Sequence, residues 1–370
     1  MAIAGTNIPL DSTEGMDKIT TTEKVTTAYF SDGNTELLAA NIISSSLSDT
    51  NENYYFGIAH SSTPATTEFN VTYGSTNGYG AEVQTGTKSE TEAIYKQWAN
   101  LLLAPTEVTG GFKISAAGST GVHYTSKAKD SEIFVLSSRR TLMKDRLNKK
   151  NISIVLSGSN NAGITDAAFP KILHLTDDSA NDAPTATPVG DRYNIVSGSD
   201  GTIQSPASTR TFGWFYPDVG TIVFSQVELS SSIPGKNANV GSTVVFDNNT
   251  MHGFQVATTT DANRKTPLRF INCLSNGGGK LKFRDEEDQV SAQYFCRLKA
   301  AHCNFSNNPT FVSGSLNELR QSTMRGNPTT FITGIQLYTS TGDLVAVGSL
   351  STPLKKNFSS EATIKVKLTY

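Results

Sequence analysis

The sequence predicts a mainly β protein, built of antiparallel sandwich- or barrel-like domains with one or two short helices in the N-terminal half. Three observations carry that expectation. Short runs rich in β-branched and aromatic residues recur along the chain, each closed by Gly, Asn, Asp or Pro. The segment Thr363 to Leu368 alternates Ile364, Val366 and Leu368 with Thr363, Lys365 and Lys367, the period of a half-buried strand with one charged face. Helical periodicity is confined to one well-capped segment and one weaker one, both before residue 150.

A chain of 370 residues exceeds one ordinary core, and two β-rich domains is the expectation from length. Charged residues make up only 17%, so neutral hydroxyl and amide groups must supply much of the surface polarity. Such a surface suits assembly, because covering it strips water from few full charges. A formal net charge of −2 offers phosphates no general attraction, and nucleic acid is not an expected partner. Met1 to Leu10 lacks the basic and apolar parts of a secretory leader. No apolar run approaches the roughly 20 residues that span a bilayer. The expectation is a chain made and folded in a cytoplasm, with no membrane partner. Its three cysteines, Cys273, Cys296 and Cys303, are too few for a disulfide framework and read as reduced small hydrophobes on strands.

In chain order, residues 1–27 are Thr-rich with few bulky apolar side chains, and predict an extended arm that is loose in the free subunit. An α+β domain is expected over 28–150. It starts with the strand Tyr54 to Ala59 and holds the best helix, over 89–103. There Ser89 and Glu92 have capping-box spacing, Ile94, Trp98, Leu101 and Leu102 share a face, and Pro105 stops the helix. A second helix is expected from Ser138 to Lys149, after the strand Ile133 to Leu136. A central β-rich region, 151–290, carries the runs Ile152 to Leu156, Ile172 to Leu175, Ile222 to Phe224, Val244 to Phe246 and Phe270 to Leu274. Thr176 to Gly201 reads as a long surface loop or interface excursion. A C-terminal antiparallel β domain, 291–370, carries strands at Gln293 to Leu298, Phe331 to Leu337, Leu344 to Val347 and Thr363 to Leu368, with Ser340-Thr341-Gly342-Asp343 as a hairpin turn.

Local chemistry is sparse. His60, His123, His174, His252 and His302 form no His-Glu-x-x-His pattern, and His302 with the three cysteines lacks the paired short spacings of structural zinc sites. Asp285-Glu286-Glu287-Asp288 lacks calcium-loop order and reads as a solvated turn, and Asp177, Asp178, Asp182 and Asp191 share the weakness. Ser275 to Lys280 lacks the Gly-Lys-Ser/Thr ending of a phosphate loop and reads as a flexible strand connection. The bases of 139–150 read as a solvated helix face. No catalytic, cofactor-binding or metal residue is therefore expected, and the chain is expected not to be an enzyme. A pair of carboxylates brought together only in space, as in glycan hydrolysis, stays open as the enzymatic alternative.

Tyr294-Phe295-Cys296-Arg297, Asn304 to Phe311, Asn327 to Thr333, Ile335 to Tyr338, Asp343 to Val347, Leu350 to Lys356 and the terminal Glu361 to Leu368 together resemble a family of virion structural proteins from T-even-like cyanophages. Fainter likeness runs back through Tyr193 to Gly198 and Tyr216 to Gly220 to the region of Ile133 to Arg146. The resemblance implies a structural component of a tailed-phage virion, several copies per particle, with other virion proteins as partners. Its association with tail and baseplate components implies a wedge or tail subunit of a contractile tail. A tail-fibre adaptor, a neck or capsid component and a virion-borne glycan hydrolase are the alternatives.

Overall fold

The computed structural model describes residues 8–10, 17–45, 55–61, 66–80, 89–114, 129–159, 170–204, 210–233, 253–254, 266–313 and 318–370. It confirms the mainly β class. The chain divides into two compact units, one of residues 25–287 and one of residues 1–24 with 288–370.

The larger unit is a nearly closed antiparallel barrel. Its strands are β2 (Glu36–Leu38), β3 (Ile42–Ser45), β4 (Tyr55–His60), β5 (Thr67–Ser75), β6 (Glu132–Ser138), β8 (Ser153–Ser159), β9 (Pro170–Asp177), β11 (Gly190–Ser199), β13 (Thr211–Tyr216), β14 (Thr221–Ser225) and β15 (Lys280–Lys282). They hydrogen-bond in the order β2-β15-β8-β9-β11-β13-β14-β6-β5-β4-β3, with the short β10 (Thr185–Thr187) and β12 (Thr202–Ile203) added to β11. The two end strands of that order are consecutive in the chain, joined by the 3-10 turn Ala39–Asn41, so the edges are drawn toward each other and little of either is left open. The expected boundary at 150/151 falls inside this sheet, since β6 pairs with β14.

Continuous apolar runs such as Ile133 to Leu136 arise because both faces of these strands are covered. Phe134 and Leu136, with Phe69, Tyr73, Ile222 and Phe224, face one apolar cluster. Ile133 and Val135, with Trp214, Tyr216 and Val223, face a second one with helix α1 (Glu90–Leu102). Short helices α2 (Pro105–Val108) and α3 (Gln226–Ser232) flank the sheet.

Helix α1 starts as the capping box predicts, with Ser89 Oγ accepting from Glu92 N at 3.4 Å and Glu92 paired one turn on with Lys96. Its buried face is Thr91, Tyr95, Ala99 and Leu102, rotated from the expected one: Ile94 and Trp98 are half-buried and Leu101 is exposed. The rotation follows the polar anchors. Tyr95 Oη donates to the Asp130 carbonyl at 2.8 Å and accepts from Phe112 N, while Trp98 Nε1 reaches Thr72 Oγ1 at 3.1 Å. Gly74 permits the approach, because a Cβ there would lie 2.9 Å from Tyr95 Cα. Ser89→Ala is expected to lower stability by about 1 kcal/mol, the usual cost of a lost N-cap, read as a shifted denaturant midpoint with unchanged slope.

Four local expectations are corrected. Ser138 to Lys149 is not a helix. Ser138 ends β6, Leu142 N and Met143 N bond back to Arg139 O for a single turn, and the chain then enters β7 (Arg146–Leu147). Its amides go elsewhere: Asp145 N to Glu286 O, Leu147 N to Pro217 O. Phe270 to Leu274 is not a strand but most of helix α4 (Leu268–Ser275), whose Phe270 ring packs 5.2 Å from Phe224 and 5.8 Å from Phe254. Thr176 to Gly201 is not mainly a loop, since it contains β11, which pairs with β9 on one side and β13 on the other. Val244 to Phe246 lies outside the described residues.

The fourth correction concerns the arm. Lys18–Ala28 forms β1, hydrogen-bonded beside β16 (Arg284–Leu298) of the same chain, and Phe295 N donates to Asp17 O at 2.9 Å. Thr, Ile and Val favour the extended backbone, and the chain's own sheet meets its hydrogen bonds, so this part needs no neighbour to order it. Residues 1–7 and 11–16 lie outside the described residues.

In the smaller unit, β16 pairs from Ser291 to Leu298 with β21 (Ala362–Thr369), while its first residues, in the larger unit, pair with β7. Ile364, Val366 and Leu368 are half-buried and Thr363, Lys365 and Lys367 exposed, as their alternation predicts. Two further pairs stand alone: β17 (Val312–Ser313) with β18 (Glu318–Leu319), and β19 (Thr330–Tyr338) with β20 (Leu344–Lys356). The β19–β20 turn closes as expected, with Thr339 N bonded to Asp343 O and Gly342 N to Thr339 O.

Candidate functional site

The carboxylates and bases singled out in the sequence are mostly engaged in holding the barrel together. Asp285 to Asp288 is not a solvated turn but the start of β16. Asp285 and Glu286 are buried, accepting from Lys144 N at 2.9 Å and Asn148 Nδ2 at 2.7 Å, and Glu287 pairs with Lys144. Asp177 accepts from Lys150 N, and Asp178 accepts from both nitrogens of Asn194. Burial raises the Asp178 carboxyl above its ordinary value, against those bonds. Arg146 lies between Asp218 at 3.7 Å and Glu286 at 3.9 Å, and Lys149 reaches Tyr193 Oη at 3.0 Å and Asp191 at 3.7 Å. The basic run is thus not a solvated helix face: several of its charges answer carboxylates of other strands.

Among the described residues, no three His, Cys, Asp or Glu side chains are grouped to hold a metal. His60 pairs with Asp32 at 3.2 Å, and His174 is exposed at the rim of a shallow cavity of about 450 Å³ beside Ser153, Ser199 and Lys280. His123 and His252 lie outside the described residues. Cys273 is buried on α4, Cys296 is buried on β16, and Cys303 sits in a turn at φ 55°. Ser275 to Lys280 links α4 to β15, and Gly279 is demanded there because a Cβ would strike the Leu274 carbonyl.

A polar group inside the barrel escaped the sequence reading. Tyr73 on β5 and Glu132 on β6 lie on the face that carries Phe134, close enough for the phenol to act on the carboxyl, and Arg269 of α4 adds its field to the Tyr73 phenol. Desolvation pushes the Glu132 carboxyl up to about 7, against the lowering effect of the Tyr73 phenol, and brings the Arg269 guanidinium down to about 10. Asp130, two residues before Glu132, accepts from Ser225 Oγ and Ile114 N and so acts as a brace.

The smaller unit presents the most unusual surface. Both apolar clusters belong to the larger unit. The β19–β20 hairpin has 22 residues in its strands, yet Phe331, Tyr338, Leu344, Val345 and Val347 are each more than half exposed. Asp343 is the one charge between Thr330 and Leu354. An isolated two-stranded hairpin is marginal in water, and this one is fastened at its base. Lys356 is fully buried, its ammonium donating to Ala300 O at 2.8 Å, Asn304 Oδ1 at 3.1 Å and Asn357 O at 2.8 Å. Thr330 Oγ1 adds a bond to the Cys303 carbonyl. The rivet fixes the hairpin's root and leaves its apolar blade uncovered.

No protein-family model, no curated protein and no solved structure matches this chain.

Proposed function

We propose that this chain is a structural subunit of a tailed-phage virion, a baseplate wedge or tail component that acts by assembling with other virion proteins. The observation that carries the assembly reading is the uncovered hairpin, a charge-poor and apolar surface fixed at its root by a buried lysine. Surfaces of that kind are held back from water by partners. The virion and the tail enter through the resemblance of residues 294–368 to cyanophage structural proteins. Engagement of the acidic and basic side chains in strand-to-strand bonds supports a scaffold over a reaction centre.

Val345→Lys with Val347→Lys tests the reading, since both side chains already face solvent and the substitutions bury no charge. The expected result is a folded subunit that fails to enter particles, read by mass spectrometry of particles washed after complementation. Undiminished incorporation of the variant, or absence of the wild-type chain from purified particles, would overturn the proposal. The purified chain is also expected to leave host-surface polysaccharide intact; turnover abolished by changing two carboxylates would establish the hydrolase in its place.

A further inference from the structure

The hairpin's two free edges differ. β20 carries Pro353, which has no N–H to offer, within an irregularity where the register jumps from Ile332↔Leu354 to Gly334↔Ser349. The outer edge of β19 carries neither proline nor charge, and among the described residues β20 is its sole strand partner. Sheet edges in contact with water are ordinarily guarded by a lysine, a proline, a bulge or a covering segment. An antiparallel strand leaves alternate N–H and C=O groups pointing outward, so β19 displays a row ready for one more strand.

We propose that β19 is a homotypic strand-addition edge: two copies of this chain pair their β19 strands antiparallel across a twofold axis at Gly334. The inference rests on the assembly reading and names the partner at the hairpin. Strand and occupant match because the segment is self-complementary in this register. Phe331 falls opposite Leu337, Ile332 opposite Gln336 and Thr333 opposite Ile335, so no charge meets a like charge or is buried unanswered. Gly334, at the axis, has no side chain to hold the backbones apart. The added strand would turn two marginal two-stranded hairpins into one four-stranded sheet and shelter the exposed Phe331 ring beside it.

Thr333 is exposed and sits one residue from the axis, so two copies of position 333 lie diagonally across the new ladder. In the full chain, Thr333→Lys and Thr333→Glu are each expected to weaken self-association roughly tenfold, through like charges placed twice across the twofold. An equimolar mixture of the two variants is expected to regain dimer, as a Lys–Glu heterodimer. Sedimentation velocity reads all three, and circular dichroism checks that each variant keeps its strands. A monomeric wild type, or variants that dimerise as well as the wild type, would overturn the proposal, as would folded variants whose mixture stays monomeric. Loss of the dimer with normal incorporation of the chain into particles would refute the homotypic contact alone. Absence of the chain from particles while the dimer persists would refute the virion reading alone.

Discussion

Lys356→Met is expected to lower the stability of the C-terminal unit by about 3 kcal/mol or more, while Lys355→Met, on an exposed neighbour, changes it by less than about 0.5 kcal/mol. The buried ammonium has three donors and meets three oxygens, so its inventory is complete. Methionine fills a similar length but leaves the Ala300 and Asn357 carbonyls and the Asn304 amide oxygen short of a partner in a place where water does not replace it. Hydrogen bonds to a charged group contribute about 1.5–3 kcal/mol each, and stranding an acceptor adds its desolvation cost. The three are not additive, because Asn304 Nδ2 still holds the Ala300 carbonyl at 2.6 Å. The loss should be local. Hydrogen exchange is expected to quicken across Thr330 to Lys356 and around Ala300 to Asn304, with the barrel strands β6 and β14 unaffected. Uniform loss of protection in both units, or none in either, would show that Lys356 does not serve as the hairpin's fastening.

Much of the fold is legible in the sequence because the barrel's strands obey period and punctuation together. Tyr55 to Ala59, Ile133 to Leu136 and Ile222 to Phe224 are short, rich in β-branched or aromatic residues and bounded by turn formers, and each is a strand. The failures share a cause. Phe270 to Leu274 has the composition of a strand, and a short apolar run buried on all sides has no period to separate helix from strand. Ser138 to Lys149 spaces Leu142, Met143 and Leu147 like a helix, yet Asp285 and Glu286 draw its amides into the sheet from 141 residues away. Thr176 to Gly201 opens with turn residues, and the strand inside it, Tyr193 to Val196, is too brief a run to outweigh them.

The exposed hairpin was legible in an inverted form. Val345, Val347 and Phe331 are apolar and stand in solvent, whereas Lys356, one of a pair of lysines after a proline, carries a charge and is fully buried. Hydropathy reports what a side chain prefers, and here the hairpin leaves that preference unmet. Glu68 was equally hidden. It sits on β5, and it meets Ser31 and Tyr29 only when the chain folds back across almost forty residues. Such pairings have no local pattern from which to infer them.

Glu132→Gln is expected to change the pH dependence of stability more than any substitution on the surface. In the unfolded chain Glu132 releases its proton near 4.5, whereas burial in the barrel holds the proton to about 7. Between those values the folded state binds more protons than the unfolded state, so stability falls as pH rises through the window and levels off above it. At 1.36 kcal/mol per unit, the ionised carboxylate costs roughly 3 kcal/mol at pH 8. Glutamine keeps the shape without the charge. The variant should therefore be more stable than wild type at pH 8 by that amount, similar to it at pH 4, and flatter between. Urea denaturation at pH 4, 6 and 8, with midpoints compared at equal slopes, reads it directly. A wild-type stability that rises from pH 5 to 7 through this residue, or a variant less stable at pH 8 than the wild type, would show that Glu132 is held ionised in the folded state instead.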